Sequence, residues 1–425
     1  MNTGLSCTPR LPKERMRAAR RHAIFDCCKW DPQVGDTPAL ADFAVVLERG
    51  QWAELRELAM ALYAETLAAE RAVLRDARLL DLLALPRELR RALAGGDADA
   101  QRTCRVMRFD FHPTTAGWRV TEVNSDVPGG YIEAGGFSER MCREFAESGL
   151  APGLSVSGNP AQTLARRLRE KIPAGASIAL AHATAYADDR QVMVYLQQEL
   201  ARAGLRAALA SPADVQWRDG AAWLADGQRS EKIDALFRFF PAEWLPALRG
   251  KMWHNFFAPK ENSGTLTLNP GAAIISQTKR FPLLWPRLPD NTLKVWPRLM
   301  PKTRPLAGAE RNWLMRKLSP IKFPDEREWV LKPALGRVGE DVLIASVTPA
   351  RDAAKIRRRC SREPSQWVAQ RRFDSAPVLT PDGRRHLCAG VFVIDGVVGG
   401  IYGRMAAKPL INSAAREVPV LVRGK

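Results

Sequence analysis

Along the first hundred residues the apolar positions fall three and four apart. Trp52, Leu55, Leu58 and Leu62 share one helical face at that spacing, and Leu79, Leu82 and Leu83 extend it. Residues 40–95 therefore read as helical, with Pro86 opening a last helix over 88–94 that Gly95 and Gly96 end. The period then shortens to two. Residues 106–111 and 118–124 are β-prone runs around a polar turn containing Pro113, Thr114, Thr115 and Gly117, which predicts a β-hairpin. The Gly-rich stretch at 128–136 reads as a loop that begins a helix, and 150–160, rich in Gly, Pro and Ser, as a linker.

Beyond that point strands and helices alternate. Residues 177–181 form an apolar strand, Asp188 or Asp189 caps a helix carrying Val192, Leu196 and Leu200, and Gly204 closes it. Strands at 206–210 and 233–239 follow, and this order argues for a parallel α/β layer. The last third is β-rich. It holds a strand at 329–333, a turn through Gly336, Arg337 and Gly339, a return strand at 341–345, a helix at 350–359 and a strand at 366–370. A hairpin over 389–394 and 397–404 turns at Asp395-Gly396. The expected division is 1–150, a helical part with the first hairpin; 151–260, the α/β unit; and 261–425, the β-rich half.

At 425 residues and 46% hydrophobic content the chain can bury sizeable cores. No apolar run is long enough to span a bilayer, so no membrane association is expected. Seven cysteines without CxxC spacing read as reduced thiols of a cytoplasmic protein, and five scattered histidines give no zinc pattern. The net charge of +18 suits anionic ligands, from nucleic acid to small nucleotides. The basic residues are dispersed and no nucleic-acid motif interleaves them with aromatics, so nucleic acid is an unlikely partner. GxGxxG and GxxxxGK[ST] are both absent.

The candidate chemistry sits on the hairpin. Side chains two apart share a strand face, which sets Arg108 beside Asp110 and Glu122 beside Asn124, all on one side. Two carboxylates and an amide oxygen suit Mg²⁺, and an arginine beside them suits a phosphoryl group. An exposed charged hairpin face is the alternative. The Gly129 and Gly130 amides offer a substrate or anion contact, or serve the turn alone. Lys332, leading into the turn with Gly336 and Gly339, makes a cover for a triphosphate, or an ordinary basic hairpin.

The motifs RFDF, GWRVTEVNSDVPGGYIEA, QTKRFPLLW, WVLKPALGRVGEDVLI, WVAQRRF, GVFVIDGVVGGIYGRM and REVPVLV occur in that order. Together they resemble the synthetase domain of glutathionylspermidine synthase, from about Phe25 to the C-terminus. The resemblance implies an α/β, ATP-grasp-like fold with a helical N-terminal part and an inserted parallel, preATP-grasp-like layer. It implies Asp110, Glu122 and Asn124 as Mg²⁺ ligands, and Arg108, Arg337 and Arg404 as catalytic arginines. Lys279 and Lys332 would meet ATP, the strand ending at Gln370 its adenine, and Ser125 the acid substrate, while Pro128-Gly129-Gly130 stands where the family is richer in hydroxyls. No amidase domain precedes these motifs, so the stand-alone form is implied. Where the family is acidic after the last arginine, this chain has Met405-Ala406-Ala407-Lys408, and Arg371 replaces a Glu.

The implied activity is an ATP- and Mg²⁺-dependent carboxylate–amine ligase working through an acylphosphate. Its partners would be a small-molecule or peptide carboxylate and an amine. The alternatives are an inactive homologue that binds nucleotide or peptide and a basic nucleic-acid-associated protein.

Overall fold

Both expected hairpins form, and they lie side by side in one antiparallel sheet. The computed structural model describes residues 4–94, 102–226, 229–247, 256, 264–306, 323–336 and 339–424. Strand Val106–Thr114 pairs with Gly117–Asn124 on one edge and with Gly383–Ile394 on the other. Val397–Ala406 and Arg416–Val418 continue the sheet outward. The second hairpin turns at Asp395 and Gly396, whose φ values of 47° and 79° are those of a two-residue mirror-image turn.

One face of this sheet is apolar. Met107, Phe109, Phe111, Val120, Val123, Ala389, Val391 and Val393 share a core with Leu55, Ala59 and Leu62 of helix Arg49–Arg75. A bulge between Phe109 and Phe111 shifts the register. It sets Val120 opposite Phe111 on the apolar face, while alternation about Val123 puts Glu122 and Asn124 on the other face with Arg108 and Asp110.

A second sheet is wholly parallel, in the order Leu266–Leu268, Ala235–Phe239, Ser177–His182, Arg206–Ala210. Helix Ala187–Arg202 crosses between two of its strands, with Asp188 and Asp189 in the first turn and Tyr186 at the cap position. A third, antiparallel sheet joins Thr303–Pro305, Trp367–Arg371 and Trp329–Pro333. Helix Ala350–Arg362 packs on it through Ala353, Ile356 and Cys360, forming a small separate core with Trp329, Leu331 and Trp367.

Several expectations change. Helix begins at Arg49 rather than at 40, because Val45–Leu47 is a buried strand pairing with Val420–Arg423. The supposed linker contains strand Leu154–Val156, on the other side of Val420–Arg423. Short strands whose partners lie hundreds of residues away leave little local pattern. The strand at 233–239 is two strands in different sheets, Arg229–Ile233 and Ala235–Phe239, parted at Asp234. Asp234 takes a hydrogen bond from the Ser177 amide at 2.8 Å. No return strand forms at 341–345; a single bridge joins Leu331 and Leu343, and Asp341 turns the chain at φ 54°. Helix Arg87–Ala94 forms, while Gly95, Gly96 and Arg337 lie outside the described residues. Among the described residues no helix is long and apolar enough to cross a membrane.

Candidate active site

The polar face of the central sheet carries a buried charge cluster. Arg108 donates from Nε to Asp110 Oδ1 at 2.8 Å, from a terminal nitrogen to Oδ2 at 3.2 Å, and from the other to the Gly129 carbonyl at 2.7 Å. Arg404 reaches the same carboxylate from the far hairpin at 2.7 Å, and Asn124 Nδ2 at 3.1 Å. Burial alone would push the Asp110 carboxyl up, but the two guanidiniums outweigh it and hold it well below the usual range. Space for this cluster comes from Gly390 on the intervening strand, where a Cβ would lie 2.7 Å from Arg108 Cδ and 3.0 Å from Asp110 Oδ1.

Between this face and the third sheet runs a cleft of about 970 Å³, open mouth included. Asp110, Glu122, Lys279, Lys332, Gly336, Gly339, Gln370 and Arg404 all line it. Lys332 is buried on strand Trp329–Pro333 and donates to Gln370 Oε1 at 2.8 Å. Burial, with Lys279 as a second cation nearby, pulls its pKa down to about 8 against the attraction of Glu122 and Asp110. Lys279 bonds the Gly336 carbonyl at 2.8 Å and stands 3.2 Å from Glu122. Burial favours the protonated form of Glu122, yet the charge of Lys279 lowers its pKa overall. His112 and Cys388 line the same cleft; burial lowers the imidazole to about 4 and raises the thiol to about 12. Gly339, at φ 69°, brings its turn against the Ile411 carbonyl, which a Cβ would meet at 2.3 Å.

A second cavity, about 1590 Å³ with its mouth, adjoins the first, and Glu122, Gly336 and Arg404 line both. Asn124, Gly129 and Gly130 line only this one. Gly130, at φ 97°, lets the Tyr402 ring approach; a Cβ would lie 2.5 Å from it. The walls carry more acid than base, with Asp31, Glu133, Asp188, Asp189 and Glu417 among the acids and Lys29, Arg108 and Arg404 as the bases.

A family model for the glutathionylspermidine synthase preATP-grasp family matches residues 13–423. The chain belongs to that family. Its fold is mixed α/β and ATP-grasp-like, as the motifs led us to expect. A glutathione synthetase-like effector of Globodera pallida, solved in its apo form, superposes with a TM-score of 0.62 at 11% identity, covering 96% of each chain. A protein of Methylobacillus flagellatus KT assigned as a gamma-glutamylcysteine synthetase gives a TM-score of 0.40 at 12% identity, over 84% of this chain and 88% of that one. Comparison with curated protein sequences returns no match.

The fold thus brings together, across two adjoining cavities, every residue singled out in the sequence except two. Arg337 lies outside the described residues. Ser125 is fully buried: its hydroxyl bonds the Ala273 carbonyl at 2.9 Å and its amide bonds Gln277 Oε1 at 2.9 Å. Ser125 therefore fixes the end of the hairpin instead of facing a substrate. The sequence reading missed Gln277, Tyr402, Lys29, Glu133 and Glu417. Tyr402 had a signal, since it stands two residues before Arg404 on the same strand face; Lys29 had none.

A divalent cation is tested by the donor set. Among the described residues no group of three or more Asp, Glu, His or Cys has metal-binding geometry. What the hairpin offers is two carboxylates and one amide, hard donors that suit Mg²⁺ rather than zinc. Asp110 is already engaged by two arginines. Phosphate oxygens are alternative partners for those guanidiniums, so cation and phosphate fit the cluster together. The orphaned donor here is Arg404 Nε, buried and without a hydrogen-bond partner among the described residues.

Proposed function

We propose that this chain is an ATP- and Mg²⁺-dependent carboxylate–amine ligase that works through an acylphosphate. The observation that carries the reading is the convergence of Asp110, Glu122, Lys279, Lys332 and Arg404 on one cleft, with Arg404 lining the second cavity as well. An oxygen anion developing where the two cavities meet would find the Arg404 guanidinium already held in place by Asp110. Lys279 and Lys332 would hold the triphosphate end of ATP in the first cavity, and the strand ending at Gln370 would meet the adenine. Bound by Asp110, Glu122 and Asn124, Mg²⁺ would neutralise phosphate charge. Arg108 and Arg404 would align the acid's carboxylate oxygen with the γ-phosphorus and stabilise the transferring group.

The carboxylate becomes an acylphosphate, whose leaving group is phosphate rather than hydroxide, and an amine then displaces it. The acid-rich wall of the second cavity, set in a chain of net charge +18, supports an amine that carries positive charge elsewhere in its structure. The test is ADP release from ATP–Mg²⁺ against pools of carboxylates and amines, including glutathione, short peptides and polyamines. Release that needs both an acid and an amine is expected. Release that is indifferent to either, or none across all pools, contradicts the proposal.

A further inference from the structure

Four polar side chains on the wall of the second cavity have no role in the scheme above, two of them buried, Lys29 and Glu133, and two half-buried, Tyr402 and Glu417. Lys29 donates to Glu133 Oε1 at 2.5 Å and to Glu417 at 3.1 Å, and the Tyr402 hydroxyl donates to Glu417 Oε1 at 3.1 Å. All four line the cavity. Their place on the sheet is the informative part. Glu417 is the direct cross-strand partner of Arg404, the residue at the junction of the two cavities. Cross-strand partners put their side chains on the same face. The Tyr402 ring lies between the two sets of groups: the Arg108 and Arg404 guanidiniums each sit 5.2 Å from its centroid, and its hydroxyl ends on Glu417.

We infer that Glu417 is the proton acceptor for the attacking amine, a role that rests on the ligase reading. The amine arrives as an ammonium and gives one proton to a Glu417 oxygen. The neutral amine then attacks the acylphosphate carbonyl carbon, and the C–N bond forms from its lone pair. The C–O bond to phosphate breaks, and phosphate leaves with that electron pair and takes up the surplus N–H proton.

The charges around Glu417 suit the task. Two carboxylates converge on one ammonium, so the trio is short of one positive charge. Glu133 has the closer contact to Lys29, which outweighs its burial and keeps it ionised. Glu417 is pushed up to about 7, by burial first and then by the charge of Glu133, against the pull of Lys29. The other groups that face it are Tyr402 and Arg404 on the neighbouring strand. Arg416, next on its own strand, is turned to Asp382 and Asp42 instead. A base poised near neutrality is what proton transfer at physiological pH requires. Lys29 and Glu133 act as positioning residues.

Two measurements decide it. In protein labelled with ¹³C-glutamate, one carboxyl resonance should titrate near 7, vanish in Glu417→Gln and move toward the ordinary range in Glu133→Gln. Titration of the Glu417 resonance as an ordinary carboxylate overturns the role. The second uses hydroxylamine, which is neutral at pH 7, and propylamine, which is not, with ATP and a panel of carboxylates headed by glutathione. Glu417→Gln should keep hydroxamate formation and lose propylamide formation by roughly 10²–10⁴-fold. Equal loss of both products, or loss of neither, overturns the role of Glu417 and leaves the ligase reading standing. A wild-type protein that makes no hydroxamate with any carboxylate contradicts the ligase reading beneath it.

Discussion

Asp110 shows how one side chain is constrained by several. Two guanidiniums and an amide converge on its carboxylate, and a glycine on the next strand leaves them room. Removing a partner from such a buried group is costly, since the charges left behind lose their compensation. Arg108 makes three directed contacts, two to Asp110 and one to Gly129. Lysine keeps the charge but not the fork. Arg108→Lys is therefore expected to lower kcat for ADP release by at least roughly tenfold while changing ATP affinity less; steady-state kinetics beside calorimetry separates the two. Lys332 carries a pH signature. Its folded pKa of about 8 lies below that of an exposed lysine, so it is charged in the empty cleft only below that pH. ATP affinity should fall as pH rises from 7 to 9, and Lys332→Arg should flatten that dependence. The same shift has a stability side: the unfolded chain binds more protons between about 8 and 10, so the Lys332 contribution becomes less unfavourable across that window.

Elements meet at the site because two hairpins distant in sequence share one sheet. The third sheet presents Lys332 and Gln370 from adjacent strands. Gly339, at a positive φ and with no space for a Cβ, is pressed on the backbone of Ile411 and Asn412. Gly339→Ala should loosen that contact, weakening ATP binding several-fold with little change in the melting temperature; binding and melting curves on one preparation would show it. Period-two patterning made both hairpins legible, and short unbroken apolar runs made the lysine strand and the parallel layer legible, because those strands are buried on both faces. Val45–Leu47 and Leu154–Val156 were not legible, being three residues long with their shared partner near the C-terminus. The cluster around Asp110 could be read because its members repeat at strand spacing. The trio of Lys29, Glu133 and Glu417 could not, since three separate elements supply it.

At the scale of the whole molecule, charge is sorted. A chain of net charge +18 keeps an acid-rich cavity next to a cleft lined by lysines and arginines. That contrast fits an anionic nucleotide on one side and an amine on the other, and it gives the basic excess a use other than nucleic acid. On the ligase reading, a magnesium-bound nucleotide would sit between the polar face of the central sheet and the lysine strand. Isothermal titration with a non-hydrolysable ATP analogue, with and without Mg²⁺, on wild type and Asp110→Asn, tests it most directly. Mg²⁺ should tighten binding at least roughly tenfold in the wild type and leave it unchanged in Asp110→Asn. No binding at millimolar analogue, or the same gain from Mg²⁺ in both proteins, would contradict it.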